Sequence, residues 1–269
     1  MNEPAPLIFL KLGGSLITDK HSTSTPRPQV LRRLAQEIAA ARQACPNLRL
    51  VLGHGSGSFG HVPAKRHHTR QGVSTPEQWL GLAEVWREAR ALNDLVVQQL
   101  CAADLPVIAF PPSAAIVASG AKVSDWDLGP LQAALDHHLL PLVQGDVAFD
   151  HTLGGTILST EDVFEHLTLL LRPQRILLAG IEAGVWEDFP ACTRLLPTLT
   201  PASFPALSSH LGGSAAVDVT GGMAQKVTSM LALIQRQPGL QVLIFSGETP
   251  GNLQSALCGQ NPGTLLLGD

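Results

Sequence analysis

The sequence is poor in charged residues and has no cluster of basic ones. Only 15% of its 269 residues are charged, and the formal net charge is −4. Because Lys and Arg do not gather on any predicted helix face, we expect no nucleic-acid-binding surface. No apolar run approaches the roughly 20 residues that a membrane-spanning helix requires. Hydrophobic residues make up 45% of the chain, so these absences favour a soluble protein with a large buried core.

Paired metal ligands are also missing. The four cysteines are isolated and form no CxxC pair, namely Cys45, Cys101, Cys192 and Cys258. Their spacing argues against zinc and predicts reduced thiols in a cytoplasmic protein. The pairs His67-His68 and His137-His138 have no ligand partner at useful spacing, so we interpret them as solvated residues. The first residues lack the basic and apolar regions of a signal peptide, which also favours the cytoplasm.

Short apolar runs alternate with helical patterns along the chain. The predicted strands are Leu7–Leu12, Leu48–Leu52, Pro106–Phe110, Leu140–Val143, Arg175–Ala179, Gln241–Phe245 and Thr264–Leu267. The predicted helices are Pro28–Ala44, Pro76–Ala102, Pro130–His138, Glu161–Leu171, Gly222–Gln235 and Asn252–Leu257. Apolar strands separated by helices predict an α/β fold with a mostly parallel central sheet covered by helices on both faces. His21–Pro28 and Asp188–Pro205 are predicted to be long surface loops or lids.

Three glycine-rich segments contain a lysine or histidine suited to binding phosphate. They are Lys11–Ser15 with the following Lys20, His54–His61, and Asp218–Lys226. Each lies beside a predicted strand end or helix start, where ligands bind in such sheets. Glycine lets the backbone approach a ligand closely, and helix N-termini offer free N–H groups to anions. Two such loops with cations between them form the arrangement that phosphoryl transfer needs.

The second segment also matches a dinucleotide-binding pattern, Gly55-x-Gly57-x-x-Gly60. That fingerprint requires a helix at the last glycine and an acidic residue about 20 residues later. Here the chain continues into the basic segment Pro63–His68, so we favour an anion-binding loop in which His61 adds a donor. No GxxxxGK[ST] P-loop is present.

Two lysines strengthen the phosphate interpretation. Lys11 lies one residue before the end of a predicted apolar strand, where an ammonium group needs a partner such as phosphate. Lys226 lies about one turn into the helix predicted from Gly222, whose N-terminus would face the same anion. Lys20 by itself is consistent with a surface charge.

Together, these segments resemble those of the amino acid kinase superfamily and, within it, the isopentenyl phosphate kinases. Lys11-Leu-Gly-Gly-Ser-Leu-Ile-Thr-Asp-Lys20 is similar to their opening motif, and His54–His61 with Ala64-Lys65 resembles their substrate-phosphate loop. Gln144–Asp150 and Asp218–Lys226 follow in the same order, so the similarity extends from about residue 7 to the C-terminus. His61 narrows the choice, because most carboxylate kinases of this fold lack a histidine there.

The resemblance implies a reaction and an organisation. ATP, with Mg²⁺, would phosphorylate isopentenyl phosphate to isopentenyl diphosphate in an alternative mevalonate route of isoprenoid biosynthesis. The amino acid kinase fold implied is a three-layer αβα sandwich that forms one domain over residues 1–269. Residues of about 1–170 would bind the acceptor phosphate and those of about 171–269 the nucleotide. The resemblance also implies a homodimer.

Site residues carry over by position. The resemblance implies catalytic roles for Lys11, Lys20, His61 and Lys226. Nucleotide binding is implied for Lys11, Gly13, Gly14, Ser15, Ser56, Gly221, Gly222 and Lys226. Substrate binding is implied for Gly55, Gly60, His61 and Thr160, and orientation of the lysines for Glu161 and Asp162.

Two segments and one single residue depart from the family pattern. Ser159-Thr-Glu-Asp162 stands where Ser-Gly-Asp-Asp is usual, so Thr160 replaces a glycine and Glu161 lengthens the acid by one methylene. Gly180–Gly184 differs from the usual Thr-Asp-Val-Asp-Gly, which shapes the nucleoside pocket, so the nucleotide preference stays open. Ser56 replaces a frequent glycine.

Two other functions stay open. One is a kinase of the same fold acting on another small phosphate or phosphonate, such as fosfomycin, and the other is a nucleotide-binding regulatory module without turnover. An apolar acceptor pocket would favour isopentenyl phosphate, whereas a polar pocket would favour fosfomycin. Candidates for the apolar lining are Trp79, Leu82, Ala83 and Trp86, although such a stripe at helical spacing is more typical of core.

Overall fold

The computed structural model describes residues 6–207 and 222–269. Its strands are β1 (Leu7–Leu12), β2 (Arg49–His54), β3 (Val107–Ala109), β4 (Ile116–Ser119), β5 (Lys122–Trp126), β6 (Leu140–Gln144), β7 (Asp146–Asp150), β8 (Gly154–Leu158), β9 (Arg175–Gly180), β10 (Thr198–Leu199), β11 (Gln241–Ser246) and β12 (Gly263–Leu266). Its helices are α1 (Gly14–Ile17), α2 (Pro28–Ala44), α3 (His61–Arg66), α4 (Pro76–Cys101), α5 (Pro112–Ala115), α6 (Gly129–Asp136), α7 (Thr160–Leu171), α8 (Phe204–Leu207), α9 (Gly222–Arg236) and α10 (Asn252–Leu257).

Capping residues in the sequence mark the starts of α4 and α7, the two helices that lie beside the second glycine-rich loop and the end of β1. Thr75 caps α4 by accepting the N–H of Gln78, whose side chain returns to the Thr75 backbone. Ser159 and Asp162 form the same reciprocal capping box at the start of α7. Such caps satisfy N–H groups that have no partner within the helix.

The main sheet contains eight strands in the order β10-β12-β11-β9-β1-β2-β6-β3. From β11 to β3 all neighbouring strands pair in parallel, which brings their carboxyl ends to one edge. The direction reverses at the other end, where β12 pairs antiparallel with β11 and β10 pairs parallel with β12.

Side chains of the main sheet alternate between two hydrophobic cores. In β1, Leu7 and Phe9 pack in one core, while Ile8, Leu10 and Leu12 pack in the other. The first core is completed by residues of α6, α7 and α9, and the second by residues of α2, α4 and α10. The sheet is therefore covered on both faces, which confirms the predicted three-layer αβα sandwich with a mostly parallel sheet.

A second sheet, which the sequence analysis did not predict, has the order β5-β4-β7-β8. β4 pairs antiparallel with β5, β7 pairs antiparallel with β8, and β4 pairs parallel with β7. Most side chains of β5 are exposed, so the strand lacks the continuous apolar run of a buried parallel strand. A small core packs with this sheet and the first half of α4, and consists of Val73, Leu82, Val85 and Val147.

Three of the predicted elements have the same boundaries in the structure as in the prediction. The observed limits of β1, α2 and α10 are those predicted. The segment predicted as a loop from Asp188 to Pro205 instead contains β10, a two-residue strand at the edge of the main sheet. Among the described helices, none combines the length and apolar character needed to cross a membrane.

Candidate active site

The first two glycine-rich loops lie side by side at the carboxyl edge of the main sheet. Gly13, just after β1, donates its N–H to the carbonyl oxygen of Ala179 in β9 at 2.8 Å. Gly55, just after β2, donates its N–H to the carbonyl oxygen of Leu12 at 3.0 Å. The parallel pairing of β1 with β2 and β9 therefore brings the predicted loops together at the edge where α/β sheets bind ligands.

The two loops are in backbone contact through glycines. A Cβ atom on Gly14 would lie 2.2 Å from the amide nitrogen of Gly57, which leaves no room for a side chain. Gly57 has a φ of +54°, a conformation that favours glycine. The buried Thr18, to which the sequence analysis gave no role, donates its hydroxyl to the Gly14 carbonyl and accepts the Ser58 N–H, at 2.8 and 2.9 Å.

Lys11 and Glu161 form an ion pair beside these loops. Alternation along β1 places Lys11 on the face of Leu7 and Phe9, which packs against α7. Its ammonium group donates to the carboxylate of Glu161 in the first turn of α7. The side chains are 12% and 26% exposed, respectively. The longer acid therefore reaches the lysine that it was predicted to orient.

Burial and two lysines determine the charge of Glu161. Burial disfavours the carboxylate, but the charge and hydrogen bond of Lys11, together with the charge of Lys226, outweigh this effect. The pKa of Glu161 is consequently below its ordinary value. Lys226 thus acts electrostatically on the same carboxylate that Lys11 contacts.

His61 begins α3 immediately after Gly60, which has a φ of +74°. Its Nε2 atom lies 3.1 Å from the hydroxyl oxygen of Ser56, and the two groups share a hydrogen bond. Ser56, which was predicted to bind the nucleotide, thus contacts His61, which was predicted to bind the acceptor phosphate. A glycine at this position would lack the contact, so the departure from the family pattern adds a positioning group for the imidazole.

His54, the last residue of β2, is a buried histidine that the sequence analysis did not single out. Its Nδ1 donates to the carbonyl oxygen of Gly55, and its Nε2 lies 3.2 Å from the side-chain amide of Asn93 in α4. Burial lowers the pKa of His54, and the charge of Lys11 acts in the same direction, against the effect of the two hydrogen bonds. The imidazole is therefore a neutral structural link between the second loop and α4.

Lys20 lies in the loop between α1 and α2, one residue before the segment His21–Pro28 that was predicted as a surface loop or lid. Thr18 and Pro26 form an isolated β-bridge that closes this loop. Lys20 is exposed and lines an open cleft of about 560 Å³ together with Ser15 and Ile181. The predicted residues Ser15 and Lys20 therefore share one cleft with the altered Gly180–Gly184 segment.

The Lys20 loop is anchored to the second glycine-rich loop and to α4. Ser24, with a φ of +47°, donates its hydroxyl to Glu88 at 2.5 Å and its N–H to the Ser58 carbonyl at 3.2 Å. At the other end of the loop, Arg27 pairs with Glu248 through both terminal nitrogens. Sequence reasoning missed these anchors because their partners are distant in the chain.

Thr160 and Asp162 make local contacts at the start of α7. The Thr160 hydroxyl donates to the His54 carbonyl at 2.6 Å, and the residue is buried. Asp162 accepts from the N–H and hydroxyl of Ser159 at 2.7 Å and lies 3.3 Å from Arg70. Their predicted roles toward substrate and lysines stay predictions.

Part of the third glycine-rich segment is described. Gly222 begins α9 with a φ of +72°, and Lys226 lies in the second turn of the helix. Gly221 and the preceding residues from Asp218 lie outside the described residues. The described part therefore places Lys226 within electrostatic reach of Glu161 but does not address Gly221.

The predicted apolar stripe on α4 divides between core and surface. Leu82 is buried, whereas Trp79, Ala83 and Trp86 are exposed. Trp79 stacks on Phe149 of the second sheet with ring centroids 6.1 Å apart. Leu82 is therefore the residue of this stripe that lies in the small core beside the second loop.

Comparisons with known proteins identify the family of this chain. The model of the amino acid kinase family matches residues 6–246. Isopentenyl phosphate kinase from Methanothermobacter thermautotrophicus is 32% identical, with 97% of this chain and 99% of the relative covered. The enzyme of that name from Haloferax volcanii is 33% identical, with 98% and 99% covered. A solved structure described as "X-ray structures of isopentenyl phosphate kinase" has a TM-score of 0.80 and 28% identity, with 97% and 99% covered.

Family membership thus has three independent supports. The main sheet has the predicted architecture, the first two glycine-rich loops meet at its carboxyl edge, and the sequence similarity spans nearly the whole chain. The chain therefore belongs to the amino acid kinase family and, within it, to the group of the isopentenyl phosphate kinases.

Proposed function

We propose that this protein transfers the γ-phosphoryl group of ATP to isopentenyl phosphate, giving isopentenyl diphosphate and ADP. The observation that carries the proposal is the backbone contact between the loops of Gly14 and Gly57. A Cβ atom on Gly55 would lie 3.9 Å from Lys11 Cε, so the lysine chain passes beside the same contact. This proximity supports the proposal that the first loop binds the donor phosphates and the second the acceptor phosphate, with Lys11 next to both.

Charge neutralisation is the main contribution of the protein in this reaction. Lys11, Lys20 and Lys226 would offset the repulsion between two phosphate groups, which in a water-poor site is worth several kcal/mol. Glu161 holds the Lys11 ammonium at the sheet edge. Gly13, Gly14 and Ser15 would surround the ATP phosphates, and Gly222 would approach the nucleotide from the start of α9. The role predicted for Gly221 stays a prediction.

The acceptor needs binding rather than activation. Its attacking phosphate oxygen is already deprotonated near neutral pH, so no general base is required. His61 would donate to that phosphate from an imidazole held by Ser56. Gly55 and Gly60 would allow the backbone to approach it.

Apolar surroundings support an acceptor with a hydrocarbon tail. Val85 Cγ1 would lie 3.7 Å from a Cβ atom on Gly60, directly before His61. Val85 belongs to the small core that includes Val73 and Leu82. Aliphatic groups next to the acceptor loop favour isopentenyl phosphate over a polar acceptor such as fosfomycin.

Mg²⁺ is proposed to accompany ATP. In the part of the chain that the structure describes, there is no group of three or more His, Cys, Asp or Glu side chains that would enclose a metal ion. Mg²⁺ keeps several water ligands and commonly binds through substrate phosphates, so it fits a site that offers lysines and backbone N–H groups.

The test is an ADP-release assay with Mg·ATP and four acceptors: isopentenyl phosphate, dimethylallyl phosphate, geranyl phosphate and fosfomycin. We expect turnover of isopentenyl phosphate. Lys226→Ala should lower kcat by about 100-fold or more, because its charge acts mainly on the transferring group. His61→Ala should mainly raise KM for the acceptor, by roughly 10-fold. Lys122→Ala, on the exposed strand β5, is the matched control and should leave both constants unchanged.

Each alternative function has its own outcome in this assay. Turnover of fosfomycin alone would assign the protein to the other kinase class. Absence of ADP release with every acceptor, despite nucleotide binding by calorimetry, would indicate a regulatory module.

We also propose a cytoplasmic homodimer, as the family resemblance implies. The isolated positions of the cysteines in the sequence support the compartment. Exposed apolar side chains on α4 and β7 support self-association, since such patches mark interaction surfaces.

A further inference from the structure

Two of the four cysteines lie next to each other, far along the chain from one another and away from the residues proposed for phosphate transfer. Cys45 follows α2 and Cys258 follows α10, 213 positions further along the chain. Their Sγ atoms are 3.7 Å apart. The sequence analysis expected isolated thiols, and folding instead brings these two into contact.

We propose that Cys45 and Cys258 are a redox modification site, at which the two thiols join in a reversible disulfide. A disulfide requires an S–S distance of about 2.05 Å, so the sulfur atoms must approach by roughly 1.7 Å, a distance on the scale of a side-chain rotation. Cys45 is the C-cap residue of α2 and Cys258 is the C-cap residue of α10, so neither lies within a helix or a strand.

The thiols are accessible to a small oxidant. Cys258 is exposed and Cys45 is partly exposed. Both line an open groove of about 360 Å³, together with Pro46, Leu257 and Arg175. Arg175 begins β9, so the groove lies at the amino edge of the main sheet, opposite the carboxyl edge that carries the phosphate-binding loops. Oxidation there would not require any residue of the proposed active site.

A low-molecular-weight disulfide is the oxidant class that balances the reaction. The thiolate of Cys258 attacks one sulfur of the small disulfide, forms a mixed disulfide and releases one small thiol. The thiolate of Cys45 then attacks Cys258 Sγ and releases the second small thiol. Two electrons pass from the cysteines to the small disulfide, and the two cysteine protons appear on the released thiols.

The bond would fasten two helices that already contact each other. Glu37, in the middle of α2, accepts the N–H groups of Leu253 and Gln254 in the first turn of α10, at 3.1 and 3.3 Å. A covalent link between Cys45 and Cys258 closes a very long loop and thereby restricts the unfolded chain. We expect the melting temperature to rise by roughly 5–10 °C on oxidation.

The experiment uses the full-length protein, oxidised glutathione as the probe, and alkylation followed by peptide mass spectrometry. The expected result is loss of two alkylation sites, a cross-linked peptide pair that contains Cys45 and Cys258, and a higher melting temperature that dithiothreitol reverses. A variant with Cys101→Ser and Cys192→Ser should behave in the same way. In Cys45→Ser, Cys258 should stop at the mixed disulfide with glutathione.

Three results would overturn the proposal: continued alkylation of both cysteines under oxidising conditions, cross-links that involve Cys101 or Cys192 instead, or a stable mixed disulfide on Cys258 in the unmutated protein. Because none of these measurements uses ATP or isopentenyl phosphate, the outcome is independent of the proposed kinase activity.

Discussion

The position of Lys11 depends on one acidic residue from a distant helix. An ammonium group near the end of a buried strand requires a partner, and Glu161 provides it from the first turn of α7. The additional methylene of glutamate, compared with the usual aspartate, does not prevent the contact. The ion pair therefore holds a cation at the junction of the two glycine-rich loops.

Glu161→Gln should lower the free energy of unfolding at pH 7 by about 1–3 kcal/mol, because Lys11 loses its charged acceptor. The pKa of Glu161 is lowered in the folded state, so its contribution is complete above the unfolded value of about 4.3 and is lost as pH falls through the folded pKa. Urea unfolding at pH 7 and at pH values below 4 would measure the difference, which should become smaller at the lower pH.

Glu165→Gln is the matched control for this prediction. Glu165 lies on the same helix and pairs with Arg236, but both side chains are about half exposed. Its replacement should change stability by less than about 1 kcal/mol at either pH. A loss in Glu161→Gln that does not depend on pH would contradict the electrostatic explanation.

At the scale of elements, contact between the glycine-rich loops is the feature most sensitive to substitution. Gly14→Ala places a methyl group 2.2 Å from the backbone nitrogen of Gly57, so the loops must separate. We expect kcat/KM to fall by about 100-fold or more, since displacements near 1 Å have such effects on phosphoryl transfer geometry. Steady-state kinetics with isopentenyl phosphate would measure the loss.

Gly180→Ala provides the comparison at the end of a neighbouring strand. A Cβ atom there would have its nearest contact at 4.0 Å, with the Glu182 nitrogen. The fold should therefore tolerate this alanine, with a change in stability within about 1 kcal/mol. Equal activity of Gly14→Ala and the unmutated protein would refute the proposed importance of the loop contact.

The Lys20 loop should depend on its anchor to α4. Glu88→Ala removes the acceptor for Ser24, and we expect kcat to fall roughly 3–10-fold, with a smaller change in KM, as Lys20 loses its fixed position. Glu88→Gln keeps a carbonyl acceptor and should restore most of the activity. Asp94→Ala, an exposed carboxylate on the same helix, is the control and should have no effect. If Glu88→Gln did not restore kcat, the negative charge of Glu88 and not its hydrogen bond with Ser24 would be the important property.

At the scale of the whole molecule, we predict a homodimer formed through a patch of exposed apolar residues, which we call the α4 patch: Trp79, Leu80, Trp86 and Phe149. Leu80 is 74% exposed, and burying such surface is favourable by about 25 cal/mol per Å². Light scattering coupled to gel filtration should give twice the chain mass of 28.5 kDa. Leu80→Glu should shift the mass toward the monomer.

Leu170→Glu is the control for the α4 patch, because Leu170 is also more than half exposed but lies on α7. This variant should keep the dimer mass. A dimer that survives Leu80→Glu would exclude the α4 patch as the interface, and a monomer of the unmutated chain would refute the dimer.

The sequence by itself determined most strands of the main sheet and the helices that cover it. Hydrophobic periodicity, proline and the capping residues are local signals, so β1, α2 and α10 could be predicted to the residue. Gly13, Gly14 and Lys11 could be predicted to bind phosphate because the residue types themselves suit that chemistry, and this role stays a prediction.

Only the tertiary structure decided which residues meet. The anchor of Ser24 on Glu88 and the contact of Cys45 with Cys258 both join positions far apart in sequence. The second sheet belongs to the same class, because its strands are only four or five residues long and acquire their partners through pairing. Non-local contacts depend on how the elements pack around the cores, and no local pattern of residues encodes that packing.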